Sequence, residues 1–161
     1  MKKFNSILLI ICIFLIDLIT KILVTSSMKL YASINVIDNF FYITYTKNRG
    51  AAFSILEGKR WFILIVSFAL LIYLSRELFK KKNPFSLDLG LSLIIGGLIS
   101  NLSDRLFLGY VRDFIDFRLF GHHFAIFNLG DVAIVIGCFI FFIGAIMEGR
   151  RANKSRKWWS G

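Results

Sequence analysis

The chain has 161 residues, of which 57% are hydrophobic, and it contains 18 Phe but a single Pro. This composition, with a mean hydropathy of +0.69, excludes a soluble domain of this size and indicates an integral membrane protein. The formal net charge of +10 does not indicate a nucleic acid partner, because the cations cluster at the ends of apolar segments, where they orient a chain and contact anionic membrane lipids.

Four apolar segments are long enough to cross the hydrocarbon core as helices, which takes about 20 residues. They are predicted at residues 4–24, 61–79, 85–108 and 128–147 of a single domain that spans residues 1–161. The first segment resembles a signal peptide, but Asp17 and Lys21 interrupt it and no small-residue cleavage site follows. We therefore expect this segment to be retained as a helix.

The distribution of Lys and Arg predicts the orientation of the chain. These residues are denser at the two termini and between segments two and three than in the two longer stretches, residues 25–60 and 109–127. By the positive-inside rule, both termini are predicted to be cytoplasmic, and the two longer stretches are predicted to be outer loops.

The first outer loop contains a segment typical of β structure. Between Ile34 and Thr46 it is rich in Ile, Val, Phe, Tyr and Thr, with partial alternation, which predicts a hairpin or small sheet. Such a platform would cradle an extended substrate segment by pairing with its backbone. The alternative is an amphipathic cap on lipid headgroups. The predicted fold is thus an all-α integral membrane protein with four transmembrane helices and a small extracytoplasmic β cradle.

Polar residues of the apolar segments are predicted to lie at one level of the membrane. With a rise of about 1.5 Å per residue, Asp17 and Asp104 lie roughly 20 Å and 29 Å along their segments, toward the outer face. The positions that converge on this leaflet are Asp17, Asn48, Asp104, Asp113, Asn128 and Asp131. Because ionisable residues in a membrane are costly, such a set indicates a functional site.

Helical spacing groups these residues further. Asp17 and Lys21 are four residues apart with the acid first, which predicts an ion pair, and we assign this pair a positioning role. One helix face is predicted to carry Asn101, Asp104 and Arg105, and another carries Asn128 and Asp131.

Asp113 and Asp131 are the predicted catalytic residues. They flank the start of the last segment, so a hairpin return would bring them together. Two carboxylates in a poorly hydrated site share a proton, which leaves one base to activate water and one acid to protonate the substrate. This chemistry needs no covalent intermediate, metal or cofactor. Which aspartate starts as the base stays open, because coupled groups titrate as a pair.

Both aspartates also have simpler interpretations. Asp131 lies near a helix start, where a negative charge complements the helix dipole. Asp113 and Asp116, beside Arg112 and Arg118, fit a solvated loop with salt bridges. These structural roles are the alternatives to catalysis.

A metal site and a disulfide are both disfavoured. His122 and His123 are adjacent, but no further ligands stand at suitable spacing for zinc. Cys12 and Cys138 lie within apolar segments and lack metal-like spacing, so they are interpreted as free thiols.

Five motifs, in order over nearly the whole chain, carry a family resemblance. They are Asp17 to Lys21 (DLITK), Asn48 to Phe53 (NRGAAF), Gly96 to Arg105 (GGLISNLSDR), Val111 to Phe114 (VRDF) and Phe127 to Asp131 (FNLGD). Together they resemble the motifs of lipoprotein signal peptidase, also called signal peptidase II.

The resemblance implies an intramembrane aspartyl endopeptidase of the bacterial cytoplasmic membrane, with its active site near the outer face. Such enzymes remove the signal peptide from diacylglyceryl-modified prolipoproteins, just before the lipidated cysteine. It further implies a monomer that contacts membrane lipids, uses no cofactor and binds inhibitors of the globomycin type. Asp113 and Asp131 match the catalytic pair. The matching supporting or substrate-binding positions are Asp17, Lys21, Asn48, Gly50, Asn101, Asp104, Arg105 and Asn128.

The chain departs from the family pattern at two positions. Ser100 stands where the family usually has Gly, and Gly130 stands where it usually has Ala. Small residues keep helices in close contact, so we expect little effect from either exchange, although Gly130 is expected to loosen the first turn that carries Asp131.

Two other classes of protein are weighed against this interpretation. A small proton-coupled transporter would explain the membrane carboxylates, but transporters bind near the midplane, whereas these acids lie on one side. A non-catalytic assembly protein would use the ion pairs only to fix the register of the helices. Peptide-bond cleavage distinguishes the peptidase from both.

Overall fold

The computed structural model describes residues 1–50, 55–81, 83–119 and 122–158. The helices are α1 (Lys3–Ser27), α2 (Arg60–Leu78), α3 (Phe85–Phe107) and α4 (Leu129–Trp158). The strands are β1 (Ser33–Ile37), β2 (Phe41–Asn48), β3 (Val111–Leu119) and β4 (His122–Phe127).

Four helices of the described residues are long and apolar enough to cross a membrane, as predicted. Their bounds lie close to the predicted segments, except that α4 continues to Trp158, past the predicted end at residue 147. The added turns are rich in Glu, Arg, Ala and Lys, which favour helix although they are too polar for the hydrocarbon core. Hydropathy therefore located the span of α4 but not the end of its helix.

Helix α3 is the centre of the bundle. It packs against α1, α2 and α4, and 61% of its most apolar window is buried, compared with 11% to 22% for the other three helices. Its contact with α4 is close because Gly97 faces the backbone of Gly130, where a side chain at Gly97 would overlap the Gly130 carbonyl. The small-residue face of α3 thus brings α3 and α4 together within one chain.

The four strands form one antiparallel sheet in the order β1-β2-β3-β4. Strands β1 and β2 form the predicted hairpin, with Ile34 opposite Ile43. Residues 109–127, predicted as the second outer loop, contain two strands that the sequence did not predict, β3 and β4. Asp113 and Asp116 break the apolar alternation of β3, so its strand pattern is recognisable only once the pairing with β2 is known.

The sheet register places the first half of β3 beside the end of β2. Thr46 pairs with Asp113, and Asn48 pairs with Val111. Because β3 follows α3 after a short turn and β4 leads directly into α4, the sheet is tied to the ends of both helices. This arrangement brings the first half of β3 close to the start of α4.

At the opposite end of α3, a buried carboxylate ties three helices together. Asp88 accepts hydrogen bonds from the Nζ of Lys3 at 2.9 Å and 3.0 Å. The same ammonium donates to the carbonyl of Leu78 at 2.5 Å. This contact joins the starts of α1 and α3 to the end of α2.

Candidate active site

The predicted pair of aspartates meets at the junction of the sheet and α4. Asp113 lies on β3 and is 2% exposed, and Asp131 lies in the first turn of α4. The side chain of the fully buried Asn128 donates to Asp113 Oδ1 at 2.7 Å. The backbone N–H of Asn128 donates to Asp131 Oδ2 at 3.2 Å. One residue therefore contacts both carboxylates.

Asp131 is held by the local structure at the start of α4. Asn128 Oδ1 accepts a hydrogen bond from the N–H of Asp131 at 2.9 Å, and Asp131 Oδ2 accepts the bond from Asn128 N–H. This reciprocal arrangement is a capping box, which satisfies two N–H groups at the helix terminus. The other oxygen of Asp131, Oδ1, accepts a hydrogen bond from Asn101 Nδ2 at 2.7 Å. The carboxylate therefore caps a helix and also reaches the polar cluster on α3.

Asp113 is held from the side of the sheet. Asn48, at the end of β2, donates from Nδ2 to Asp113 Oδ2 at 3.1 Å. The Oδ1 of Asn48 accepts from the N–H of Gly50 at 2.9 Å, which orients the amide toward the carboxylate. Residues 51–53 of this motif lie outside the described residues.

The environment of Asp113 changes its acidity. Burial and, second, the negative charge of Asp131 raise the pKa of Asp113 to about 7, although hydrogen bonds from Asn128 and Asn48 oppose the rise. Burial penalises the charged form, and a neighbouring carboxylate disfavours a second negative charge. A pair with this property holds one proton below about pH 7.

A buried ion pair lies behind the two aspartates. Asp17 and Lys21 are both fully buried, and Lys21 Nζ lies 2.6 Å from Asp17 Oδ2, which confirms the predicted pair. Lys21 also donates to Asn101 Oδ1 at 3.0 Å. Asp17 Oδ1 accepts from the N–H of Gly130 at 2.9 Å. The pair therefore contacts both α3 and the first turn of α4.

Asp104 and Arg105, neighbours on α3, make different contacts. Asp104 pairs with Arg112 of β3 through both carboxylate oxygens, at 2.6 Å and 3.1 Å. Arg105 donates to the carbonyls of Gly50 at 2.9 Å and Asn101 at 3.3 Å. Arg105 thereby holds the backbone that follows Asn48, and Arg112 holds β3 against α3.

Comparison with known proteins agrees with this geometry. The sequence profile described as signal peptidase (SPase) II matches residues 9–147. The lipoprotein signal peptidase of Halothermothrix orenii is 38% identical over 130 residues, which are 81% of this chain and 87% of that protein.

The chain belongs to the signal peptidase II family.

Solved structures of bacterial membrane enzymes share the fold. One, determined by the in meso method at 2.3 Å resolution, matches with a TM-score of 0.83 and 34% identity, over 90% of this chain and 89% of that one. Another, at 1.9 Å resolution, matches with a TM-score of 0.79 and 35% identity, over 88% of this chain and 92% of that one. As a member of the signal peptidase II family, the chain is a multi-pass membrane peptidase.

Two residues at this signal peptidase II site were not predicted as part of it. Arg112 pairs with Asp104 across the turn between α3 and β3, and the sequence offered no periodic signal for that contact. The buried Ser100 donates to Asp17 Oδ2 at 2.5 Å. Its exchange for the usual Gly of the family was the available signal for this contact.

Other candidate positions lie apart from the two aspartates. Asp116 accepts from Thr44 at 2.7 Å and from Arg118 at 3.1 Å, so the salt-bridge interpretation fits Asp116. It does not fit Asp113, whose carboxylate accepts from amides. Within the described ranges, no group of three or more His, Cys, Asp or Glu side chains is placed to hold a metal ion.

Proposed function

We propose that this chain is an intramembrane aspartic endopeptidase that removes the signal peptide from diacylglyceryl-modified prolipoproteins, cutting just before the lipidated cysteine. The observation that carries this proposal is the contact of Asn128 with two carboxylates, the buried Asp113 and the half-buried Asp131. Membership of the signal peptidase II family and the 38% identity to a protein named lipoprotein signal peptidase support the substrate class.

The two aspartates have the hydrogen bonds that shared-proton chemistry requires. Each carboxylate accepts from two amide groups, one on each oxygen: Asn128 and Asn48 for Asp113, and Asn101 and the Asn128 backbone for Asp131. Since an ionised carboxylate can accept about four hydrogen bonds, lone pairs remain for a shared proton and for a water molecule.

The reaction follows from one proton shared by two acids. The ionised carboxylate takes a proton from water as the water oxygen bonds to the scissile carbonyl carbon, and the protonated carboxyl gives its proton to the carbonyl oxygen. The tetrahedral intermediate then breaks its C–N bond, and the leaving nitrogen takes a proton from the carboxyl that received one from water. As the C–N bond breaks, one hydroxyl of the intermediate becomes the new carbonyl and returns its proton to the carboxylate that had protonated it. When the new carboxyl terminus and the free amine have left, the two aspartates again share one proton.

The supporting residues hold this pair in position. Lys21, Asn101 and Asp17 fix the start of α4 from the side of the bundle. Asn48, Gly50 and Arg105 fix the end of β2 beside Asp113. Because the transition state requires both carboxyl groups at one water and one carbonyl, such positioning contributes directly to the rate.

The membrane placement follows from the same proposal. With both termini cytoplasmic, the two aspartates lie near the outer face of the cytoplasmic membrane, beneath the four-stranded sheet. The substrate carries an apolar signal helix and a lipid, so it enters sideways from the bilayer to a monomeric enzyme surrounded by membrane lipids. Inhibitors of the globomycin type are proposed to occupy this site.

The test is cleavage of a diacylglyceryl-modified prolipoprotein by purified variants. Asp113→Asn and Asp131→Asn are each expected to lower kcat by at least about 1,000-fold, because neither variant can share a proton between two carboxyl groups. Asp116→Asn is the matched control, since it removes another buried carboxylate of β3. It is expected to retain kcat within about 3-fold, because the Asp116 carboxylate accepts hydrogen bonds from Thr44 and Arg118 of the sheet. Cleavage retained by either of the first two variants would refute the assignment.

A further inference from the structure

The hydroxyl of Ser100 makes a hydrogen bond that a glycine at that position could not make. Ser100 is 2% exposed on α3, and its Oγ donates to Asp17 Oδ2 at 2.5 Å. The same oxygen lies 2.6 Å from the Nζ of Lys21. Asp17 Oδ2 is therefore held by two donors that come from two different helices.

The other oxygen of Asp17 holds the start of α4. Asp17 Oδ1 accepts from the N–H of Gly130 at 2.9 Å. Gly130 directly precedes Asp131 in the first helical turn, where a negative charge is favoured by the unpaired N–H groups. A shift of the Asp17 carboxylate therefore shifts the turn that carries Asp131.

Gly130 also leaves space beside the first oxygen, Asp17 Oδ2. A Cβ at Gly130 would lie 3.0 Å from Asp17 Oδ2, 3.0 Å from Asn128 Oδ1 and 3.3 Å from the Gly97 carbonyl oxygen. These approaches are tighter than ordinary van der Waals contact, so one of the neighbours would have to move. An outward movement of α4 would stretch the hydrogen bonds from Gly130 to Asp17 and from Asn101 to Asp131.

Ser100 and Gly130 thus meet at one atom, Asp17 Oδ2. Ser100 donates to Asp17 Oδ2, and the absence of a side chain at Gly130 leaves that oxygen room to accept the bond. With serine at position 100, the carboxylate is fixed and cannot yield to a methyl group at position 130. Without the hydroxyl, the oxygen keeps only Lys21 of these two donors and can move by the few tenths of an ångström that a methyl group requires.

We propose that Ser100 and Gly130 are a coupled pair of positioning residues that set the Asp17 carboxylate, and through it the catalytic turn of α4. This inference rests on the proposed function, in which Asp131 belongs to the catalytic pair. Neither residue touches the reacting atoms. Both act through Asp17, so their effects on the rate depend on each other.

The experiment is a double-mutant cycle on the full chain, with a diacylglyceryl-modified prolipoprotein as the substrate. Gly130→Ala is expected to lower kcat about 10-fold, and Ser100→Ala is expected to lower it by about 3-fold to 10-fold, the size of a typical lost hydrogen bond. The double variant is expected to keep about the kcat of Ser100→Ala alone. KM is expected to stay within about 2-fold, because neither residue binds substrate.

Two matched variants and a stability measurement separate positioning from general damage. Gly149→Ala lies on the same helix as Gly130 and meets no atom within 4 Å. Ser92→Ala removes a fully buried hydroxyl of α3 that donates to the carbonyl of Asp88 at the other end of the helix. Both are expected to leave kcat unchanged. Gly130→Ala is expected to lower kcat by more than any change in its unfolding temperature accounts for, because the helix preference of alanine offsets part of the cost of closer packing.

Additive losses in the double variant would overturn the coupling, and so would a Gly130→Ala enzyme with the kcat of wild type. A fall in kcat that simply followed a fall in the unfolding temperature would also overturn it. These results leave the proposed function intact as long as wild type cleaves and the Asp113→Asn and Asp131→Asn enzymes do not. Failure of wild type to cleave the substrate would overturn both proposals.

Discussion

The two ends of α3 each hold a buried carboxylate that meets a lysine of α1, but the surroundings differ. At one end, Asp88 contacts Lys3 at 2.9 Å. At the other end, Asp104 lies 3.5 Å from Lys21, and Lys21 lies closer to Asp17. Asp88 is matched by Lys3 and by the N-terminal ammonium. At the other end two acids share Lys21, and Asp104 is also paired with Arg112.

This difference separates a structural charge from a functional one. A buried carboxylate with a dedicated cation has little reason to change its protonation state, so it serves to join helices. Near Asn128, the carboxylates of Asp113 and Asp131 are held by amides, and burial raises the pKa of Asp113 to about 7. Only this second arrangement keeps a proton available for transfer.

Removal of the shared lysine should produce the largest contrast between the two ends. Lys21→Met leaves the buried Asp17 without its cation, so we expect kcat to fall about 100-fold. We also expect the free energy of unfolding to fall by about 3 to 5 kcal/mol, the usual effect of breaking a buried ion pair. Both are measured on the purified enzyme, by prolipoprotein cleavage and by denaturant unfolding. Wild-type kcat in this variant would contradict the comparison.

The matched change at the other end is Lys3→Met. It removes the hydrogen bonds to Asp88 and to the Leu78 carbonyl. Because the Lys3 side chain is 31% exposed, we expect a smaller loss of about 1 to 2 kcal/mol in the free energy of unfolding. We expect no change in kcat below the unfolding temperature. A fall in kcat as large as that of Lys21→Met would show that the two ends are equivalent.

The dependence of kcat and of stability on pH tests the carboxyl group of Asp113 alone. The pKa of Asp113 is raised to about 7, so kcat should fall as pH rises through about 7, where the pair loses its shared proton. The folded state binds this proton more tightly than the unfolded state, whose carboxyl has a pKa of about 4. The stability that Asp113 contributes is therefore complete below about pH 4 and is lost as pH rises to about 7.

The measurements are kcat against pH for wild type and the unfolding free energy against pH for wild type and Asp113→Asn. Between pH 4 and 7, the unfolding free energy of Asp113→Asn should decline less than that of wild type, because the variant lacks the carboxyl group that titrates there. A wild-type kcat that kept rising above pH 8 would contradict the shared-proton assignment, because the doubly ionised pair would then be the active form.

The smallest expected effect is that of chelators. Two carboxylic acids supply both the base and the acid of the proposed reaction, so EDTA is expected to leave kcat unchanged. The measurement is prolipoprotein cleavage before and after dialysis against EDTA. Loss of cleavage that added zinc restores would require a metal in the mechanism.

The parts of the molecule set by local sequence were predictable. Long apolar runs located the four helices, and the spacing of Asp17 and Lys21 predicted their ion pair, because residues four apart meet on a helix. The constant helix rise predicted that Asn128 and Asp131 lie level with the polar end of α3, and Asn101 of α3 contacts both. The shared leaflet stays a prediction.

The parts set by contacts distant in sequence were not predictable. Strand β3 depends on its pairing with β2, and its charged residues conceal the strand pattern. The pairing of Asp104 with Arg112 depends on the turn that follows α3, and the bond from Ser100 to Asp17 joins residues 83 positions apart. Such contacts depend on the packed fold, which single-sequence patterns do not specify.

The capping box at the start of α4 has a consequence for drug resistance. Asp131 accepts the N–H of Asn128 and anchors the helix terminus in addition to its proposed part in cleavage. An antibiotic that binds this carboxylate therefore contacts a residue that the bacterium cannot exchange for a larger or apolar one. Under the proposed function, such an exchange would remove both the reaction and the helix cap, so escape mutations should arise at positions around the two aspartates instead.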